Sequence, residues 1–132
     1  TRIAGGKKDP PHSSVSLHVG ADMFMRSTYR PDDWPLTMFP LRRSTPSITW
    51  DVFGPLCFAG DRLGTGVALG SVQEGDWIVV PSSGAYTLSM WSHHCNRAMP
   101  KIVAYQRRDS TVDTYSVLKQ RETPDEIVRR WQ

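Results

Sequence analysis

Short alternating stretches, each cut by a glycine or proline turn, constrain this chain more than any other feature. Val15, Leu17 and Val19 alternate with Ser14, Ser16 and His18, and Gly20 ends the run. Side chains on a strand point to opposite faces in turn, so this pattern reads as a half-buried strand. Ile48, Trp50 and Val52 repeat it over residues 47–53 until Gly54-Pro55 stops it. Glu74-Gly75-Asp76 is a turn signal, residues 77–80 follow as a short buried strand, and Pro81-Ser82-Ser83-Gly84 is the next turn. Residues 85–90 alternate again, and residues 101–106 form a further strand. Arg107-Arg108-Asp109-Ser110 then turns the chain into residues 111–118. About six or seven short strands with turns between them predict a sandwich or partial barrel.

Other stretches are less regular. The first thirteen residues are rich in Gly, Lys, Pro and Ser and read as a flexible lead-in, with residues 14–132 as the folded domain. Residues 30–46 contain Pro31, Pro35, Pro40 and Pro46, so they cannot be one regular element. Residues 22–29 have no decisive pattern. The end is helical: Thr123-Pro124-Asp125-Glu126 is a capping box with proline in the first turn. Arg129-Arg130 close that helix where the dipole favours cations.

Composition excludes several classes. The 132 residues are 39% hydrophobic and 22% charged, a globular composition long enough for its own core. Apolar runs are only a few residues long, too short for a membrane span. No apolar segment follows the opening residues, so they do not read as a signal peptide. The first residue is not Met, which is compatible with a chain cut from something longer. The net charge of +3 is spread over pairs such as Lys7-Lys8 and Arg42-Arg43, not gathered into a stripe. No nucleic-acid partner is expected. The two cysteines, Cys57 and Cys95, form no Cys-x-x-Cys pair and fit reduced thiols in a cytoplasmic protein. His93-His94-Cys95 resembles metal bait, but neighbours on a strand face opposite ways, so no metal site is expected there.

Two short motifs remain. Cys57 follows Gly54-Pro55 at a strand end and reads either as an exposed, reactive thiol or as a small buried hydrophobe. Gly84-Ala85-Tyr86 leaves the backbone open to a ligand and adds an aromatic hydroxyl, or it is an ordinary strand-edge tyrosine.

Four blocks taken together resemble one family. They are Gly54-Pro55-Leu56-Cys57-Phe58-Ala59-Gly60-Asp61, then residues 74–80, then Gly84-Ala85-Tyr86 with residues 87–90, then Asn96-Arg97 and Met99-Pro100. Their order and spacing are similar to the C-terminal β domain of the fold-type III pyridoxal-phosphate decarboxylases, which include diaminopimelate and ornithine decarboxylases. The resemblance runs from about Val15 to the C-terminus. It implies an all-β, Greek-key sandwich or partial barrel of the alanine racemase C-terminal type, with a short C-terminal helix.

The resemblance also implies chemistry. A β/α barrel absent from this chain would bind pyridoxal 5'-phosphate through a lysine Schiff base, and the complete unit would be a head-to-tail homodimer acting on an amino acid. Cys57 would reach into the partner's site and protonate the product carbon. Tyr86 would lie near the cofactor, and Arg26 would bind the substrate carboxylate. Tyr29 is the nearest match to that arginine's usual tyrosine, but the spacing is one residue short. Phe58 stands where these enzymes carry an acid that faces the substrate's distal amine. A phenyl ring cannot pair an ammonium, so the expected substrate has no free distal amine or a modified one. No segment offers the cofactor lysine in a strand context or a glycine-rich phosphate loop, so the chain alone is expected to be inactive. A non-catalytic relative, similar to the antizyme inhibitors, is the alternative, and a racemase relative is a weaker one.

Overall fold

The structure is a computed structural model that describes residues 1–9, 13–42, 47–108 and 112–132. The chain divides into two compact units, residues 1–92 and residues 93–132.

The first unit is built on a four-stranded sheet in the order β1 (Ile3–Lys7), β2 (Ser14–Leu17), β4 (Thr49–Phe53), β5 (Arg62–Ala68). β2 and β4 are parallel, and the two outer pairs are antiparallel. Between β2 and β4 the chain forms the short helix α1 (Met25–Tyr29) and leaves the sheet for β3 (Phe39–Pro40). β3 pairs with β6 (Ile78–Val79) in a separate two-stranded ladder. Among the described residues the strands do not close into a barrel.

The alternation at β2 and β4 does what the sequence predicts. Val15, Leu17, Trp50 and Val52 are buried, with Ile3, Leu69 and Ile78 packed into the same core. The Trp50 indole N–H donates to the Gly70 carbonyl at 2.8 Å, so the polar edge of this buried ring is satisfied.

Two readings are corrected here, and one strand, β5, forms where the sequence predicts none. Residues 3–7 form a strand, not a loose lead-in, because β2 offers a free edge and Ile3 fills the core; residues 10–12 lie outside the described ones. β5 has no sequence signature, since Gly64 and Gly66 interrupt it. It forms by pairing with β4 through register shifts, and Gly66 takes the positive φ of 62° that such an irregularity uses. Residues 85–90 are a series of turns, not a strand. Tyr86 sits at φ 65°, Met90 N–H donates back to the Tyr86 carbonyl at 3.0 Å, and Thr87 Oγ1 donates to the Ser83 carbonyl.

The second unit is a hairpin of β7 (Ile102–Arg108) and β8 (Val112–Lys119), followed by helix α2 (Pro124–Val128). Arg107 and Arg108 belong to β7, and the turn expected at Asp109-Ser110 lies outside the described residues. Tyr105 and Tyr115 face each other across the ladder, ring centroids 5.3 Å apart. The predicted capping box is present: Thr123 Oγ1 accepts from Glu126 N–H, and Glu126 accepts from Thr123 N–H. No described residue of this unit is buried, so polar contacts carry much of its order. Glu122 is their hub, accepting from Met99 N–H at 2.7 Å and Arg130 at 2.5 Å, with His93 at 3.6 Å. Burial opposes its ionisation, but the Met99 N–H, Arg130 and His93 outweigh that and hold its carboxyl below the ordinary carboxylate range. His93-His94-Cys95 is not a strand end. Residues His94–Asn96 form a 3-10 turn with Cys95 and Asn96 in the left-handed region, so the opposite-face argument does not apply to them.

Candidate active site

The loop between β4 and β5 is closed on itself. Gly54 N–H donates to the Asp61 carbonyl at 2.9 Å, and Asp61 N–H donates to the Phe58 carbonyl at 3.1 Å. Leu56 N–H donates to Asp61 Oδ2 at 2.6 Å, and Ser16 Oγ reaches the Gly54 carbonyl at 3.2 Å. Leu56 is buried and anchors the loop; Cys57 and Phe58, next along, are exposed. The Phe58 ring lies over Gly60, where a Cβ would overlap it. This resolves the two readings of Cys57: it is an exposed loop thiol that forms no disulfide.

A second feature grows from the turn before α1. Asp22 Oδ1 accepts from Gly20 N–H at 3.0 Å and Met23 N–H at 3.1 Å, and Phe24 N–H donates to the Gly20 carbonyl at 3.1 Å. The turn launches α1, and one turn in stands Arg26. Its guanidinium carbon lies 4.2 Å from the ring centroid of Trp34 and 4.2 Å from that of Tyr86. The cation is held between two π faces. Its Nε is buried and has no hydrogen-bond partner among the described residues.

Arg26, Trp34, Leu36, Ser83, Ala85 and Tyr86 line a cavity of about 130 Å³. A larger recess of about 490 Å³ shares Trp34, Pro35 and Leu36 with it and extends to Gly60 and Arg62. Gly84 has nothing within 4 Å of where a Cβ would stand, so the backbone there is open. Tyr86 holds φ 65°, a conformation that bulky residues rarely adopt and that marks functional sites more often than plain scaffold.

The structure thus brings Arg26 and Tyr86 together in one cavity. Cys57 and Phe58 stand side by side on a separate loop and line neither recess. Tyr29, at the end of α1, is 69% exposed and outside both. Two residues that sequence reasoning passed over are part of this architecture. Trp34 lay in the proline-rich stretch with no motif to mark it. Asp61 closed the quoted Gly54 block, and an acid between Gly60 and a strand was the only signal of its part in the loop. Lys7 and Lys119 stand at the ends of β1 and β8. Both are spoken for: Lys7 pairs with Asp9 at 2.8 Å and Lys119 lies 4.0 Å from Glu122.

Chemically, the cavity offers a fixed guanidinium to an anion. Its planar fork suits two carboxylate oxygens. The loop offers a thiol that another surface can reach.

Residues 1–84 match the family described as the C-terminal sheet domain of pyridoxal-dependent decarboxylases. The chain is 31% identical over 127 residues to diaminopimelate decarboxylase of Deinococcus radiodurans, covering 96% of this chain and 31% of that protein. It is 33% identical over 117 residues to the L-glutamyl-[BtrI acyl-carrier protein] decarboxylase of Niallia circulans, covering 89% and 26%. In structure it is similar to diaminopimelate decarboxylase of M. jannaschii, with a TM-score of 0.84 at 20% identity over 98% of this chain and 28% of that one. The Helicobacter pylori enzyme, solved with L-lysine, gives a TM-score of 0.79 at 24% identity over 98% and 30%. The chain therefore spans about a third of the length of the curated relative it matches over 96% of its residues. On the sequence match and the shared fold, this chain belongs to the family of the C-terminal sheet domain of pyridoxal-dependent decarboxylases.

Proposed function

We propose that this chain is the sheet-domain part of a cytoplasmic, pyridoxal-phosphate-dependent amino-acid decarboxylase, with Cys57 as its proton donor. The observation that carries the reading is the closed loop of residues 54–61, on which Cys57 is exposed, in a chain of this family. A β/α barrel completes the unit, and two units associate as a homodimer. Arg26 and Tyr86 then serve one active site while the Cys57 loop reaches into the partner's. That Cys57 and Phe58 line neither recess supports that division. The finer fold, a Greek-key sandwich, is part of the same proposal.

The residues present fit one edge of a cofactor site. The backbone is open at Gly84, the Tyr86 ring is about half exposed, and Arg26 carries a buried N–H with no partner among the described residues. The lysine and the phosphate loop are assigned to the barrel. Pyridoxal phosphate supplies the electron sink for loss of carbon dioxide. Within that site Arg26 holds a carboxylate of the substrate, and Tyr86 limits how the guanidinium turns. Cys57 gives its Sγ proton to the carbon that carbon dioxide has left: the S–H bond breaks, a C–H bond forms, and the thiolate regains a proton from solvent. Thiols as a class titrate near enough to neutrality for both steps.

Phe58 directs the substrate proposal: the amino acid has no free distal amine. The Niallia circulans relative, whose named substrate is a glutamyl group on a carrier protein, supports this because a glutamyl side chain has no such amine. The alternative, a non-catalytic relative, is not favoured by relatives that are decarboxylases. The test is carbon dioxide release by the complete enzyme. Amino acids without a distal amine should be turned over, and ornithine, lysine and diaminopimelate should not. Phe58→Glu should admit the diamino acids. Efficient release from any of them by the unaltered enzyme would sink the substrate assignment, and no release from any amino acid would sink the reaction.

A further inference from the structure

We infer that Asp61 is a positioning residue that ties the Cys57 loop to the turn launching the Arg26 helix, so that thiol and guanidinium keep their places through one buried carboxylate. The inference rests on the reading of Cys57 and Arg26 above. Asp61 is 2% exposed. One of its oxygens accepts from Ala21 N–H at 2.7 Å, in the turn that precedes α1. The other accepts from Leu56 N–H at 2.6 Å, one residue before Cys57. Its own main chain closes the same loop, through Gly54 N–H and the Phe58 carbonyl. A Cβ on either Gly20 or Gly54 would overlap the carboxylate. Two segments far apart in sequence therefore lack side chains where they pass this group, and each turns a main-chain N–H near that point toward it. Hydrogen bonds to an ionised acceptor are the stronger class, and a buried donor that loses one is left unsatisfied.

The geometry distinguishes substitutions. Asn keeps one acceptor oxygen and sets an amide donor against the other backbone N–H, so it can hold only one segment at a time. Ala holds neither.

The test is hydrogen exchange by mass spectrometry on the complete enzyme, followed over peptides containing Leu56 and Ala21. In the unaltered protein both should be protected. Asp61→Ala should speed both about tenfold or more, as loss of a charge-assisted bond implies, with Asp61→Asn intermediate and β4 unchanged. Gly54→Ala, which displaces the carboxylate while keeping its charge, should reproduce the effect. Kinetics supply the readout that simple destabilisation would not move: Asp61→Asn should lower kcat and raise KM together, and in a Cys57→Ala background only the KM change should remain. Unprotected amides in the unaltered protein, or a variant that releases one segment and leaves the other fixed under Asp61→Ala, would overturn the tie. If the exchange results hold while the enzyme releases no carbon dioxide, the decarboxylase reading fails and the tie stands.

Discussion

Replacing Trp34 with Leu tests the idea that Arg26 is aimed by the rings on either side of it. Leucine keeps apolar bulk and removes one π face. The guanidinium carbon is 4.2 Å from each ring centroid, close enough for a full cation–π contact on both sides. Trp34 is 46% and Tyr86 47% exposed, so solvent weakens each contact toward the low end of its range. That end is about 0.5–1 kcal/mol per ring. Losing one ring should therefore weaken binding of the substrate carboxylate about two- to fivefold. The change should fall on KM, with kcat kept within about twofold, because the proposed function gives substrate binding to Arg26 and proton transfer to Cys57. Trp34→Tyr, which restores a face, should recover most of the loss. A second readout needs no turnover: ring currents from two faces shift the Arg26 Nε–H resonance upfield, and Trp34→Leu should relax it. An unmoved resonance together with an unmoved KM would refute the sandwich as the source of Arg26's orientation.

Two further outcomes follow from the packing and the charges. Leu17 is fully buried at the centre of the four-stranded sheet, so Leu17→Ala should destabilise the first unit by about 2–5 kcal/mol in chemical denaturation. Glu122 has a depressed folded-state pKa, so it stabilises the second unit above the ordinary carboxylate range, and that contribution is lost as pH falls through the depressed value. The protection of the Met99 amide, its exchange relative to the intrinsic rate at the same pH, should fall with acidification, and Glu122→Gln should lower that protection at neutral pH and flatten its pH dependence.

The legible parts of this fold were those where one face of a strand is buried. Val15, Leu17, Trp50 and Val52 declare their strands because alternation is the physical requirement of a half-buried sheet. α2 was equally legible, since Thr123 and Glu126 carry a cap that acts within four residues. β5 was not, because Gly64 and Gly66 have little strand preference and the pairing comes from β4. Residues 85–90 alternate like a strand, yet Tyr86 adopts a left-handed backbone that no sequence period encodes. At the site, Cys57 became legible only through the order of the four blocks. Trp34 stayed hidden because its contact with Arg26 is made in three dimensions, across a stretch whose prolines say only what it cannot be.

The central claim is that Cys57 delivers the proton that completes decarboxylation. Its direct measurement is the product distribution of the complete enzyme carrying Cys57→Ala, with a substrate that the unaltered enzyme decarboxylates. The account predicts turnover slowed by about a hundredfold or more, the usual scale for a lost general acid, with part of the substrate diverted from the amine to the carbonyl product of misplaced protonation. An unchanged rate with amine as the sole product would contradict it.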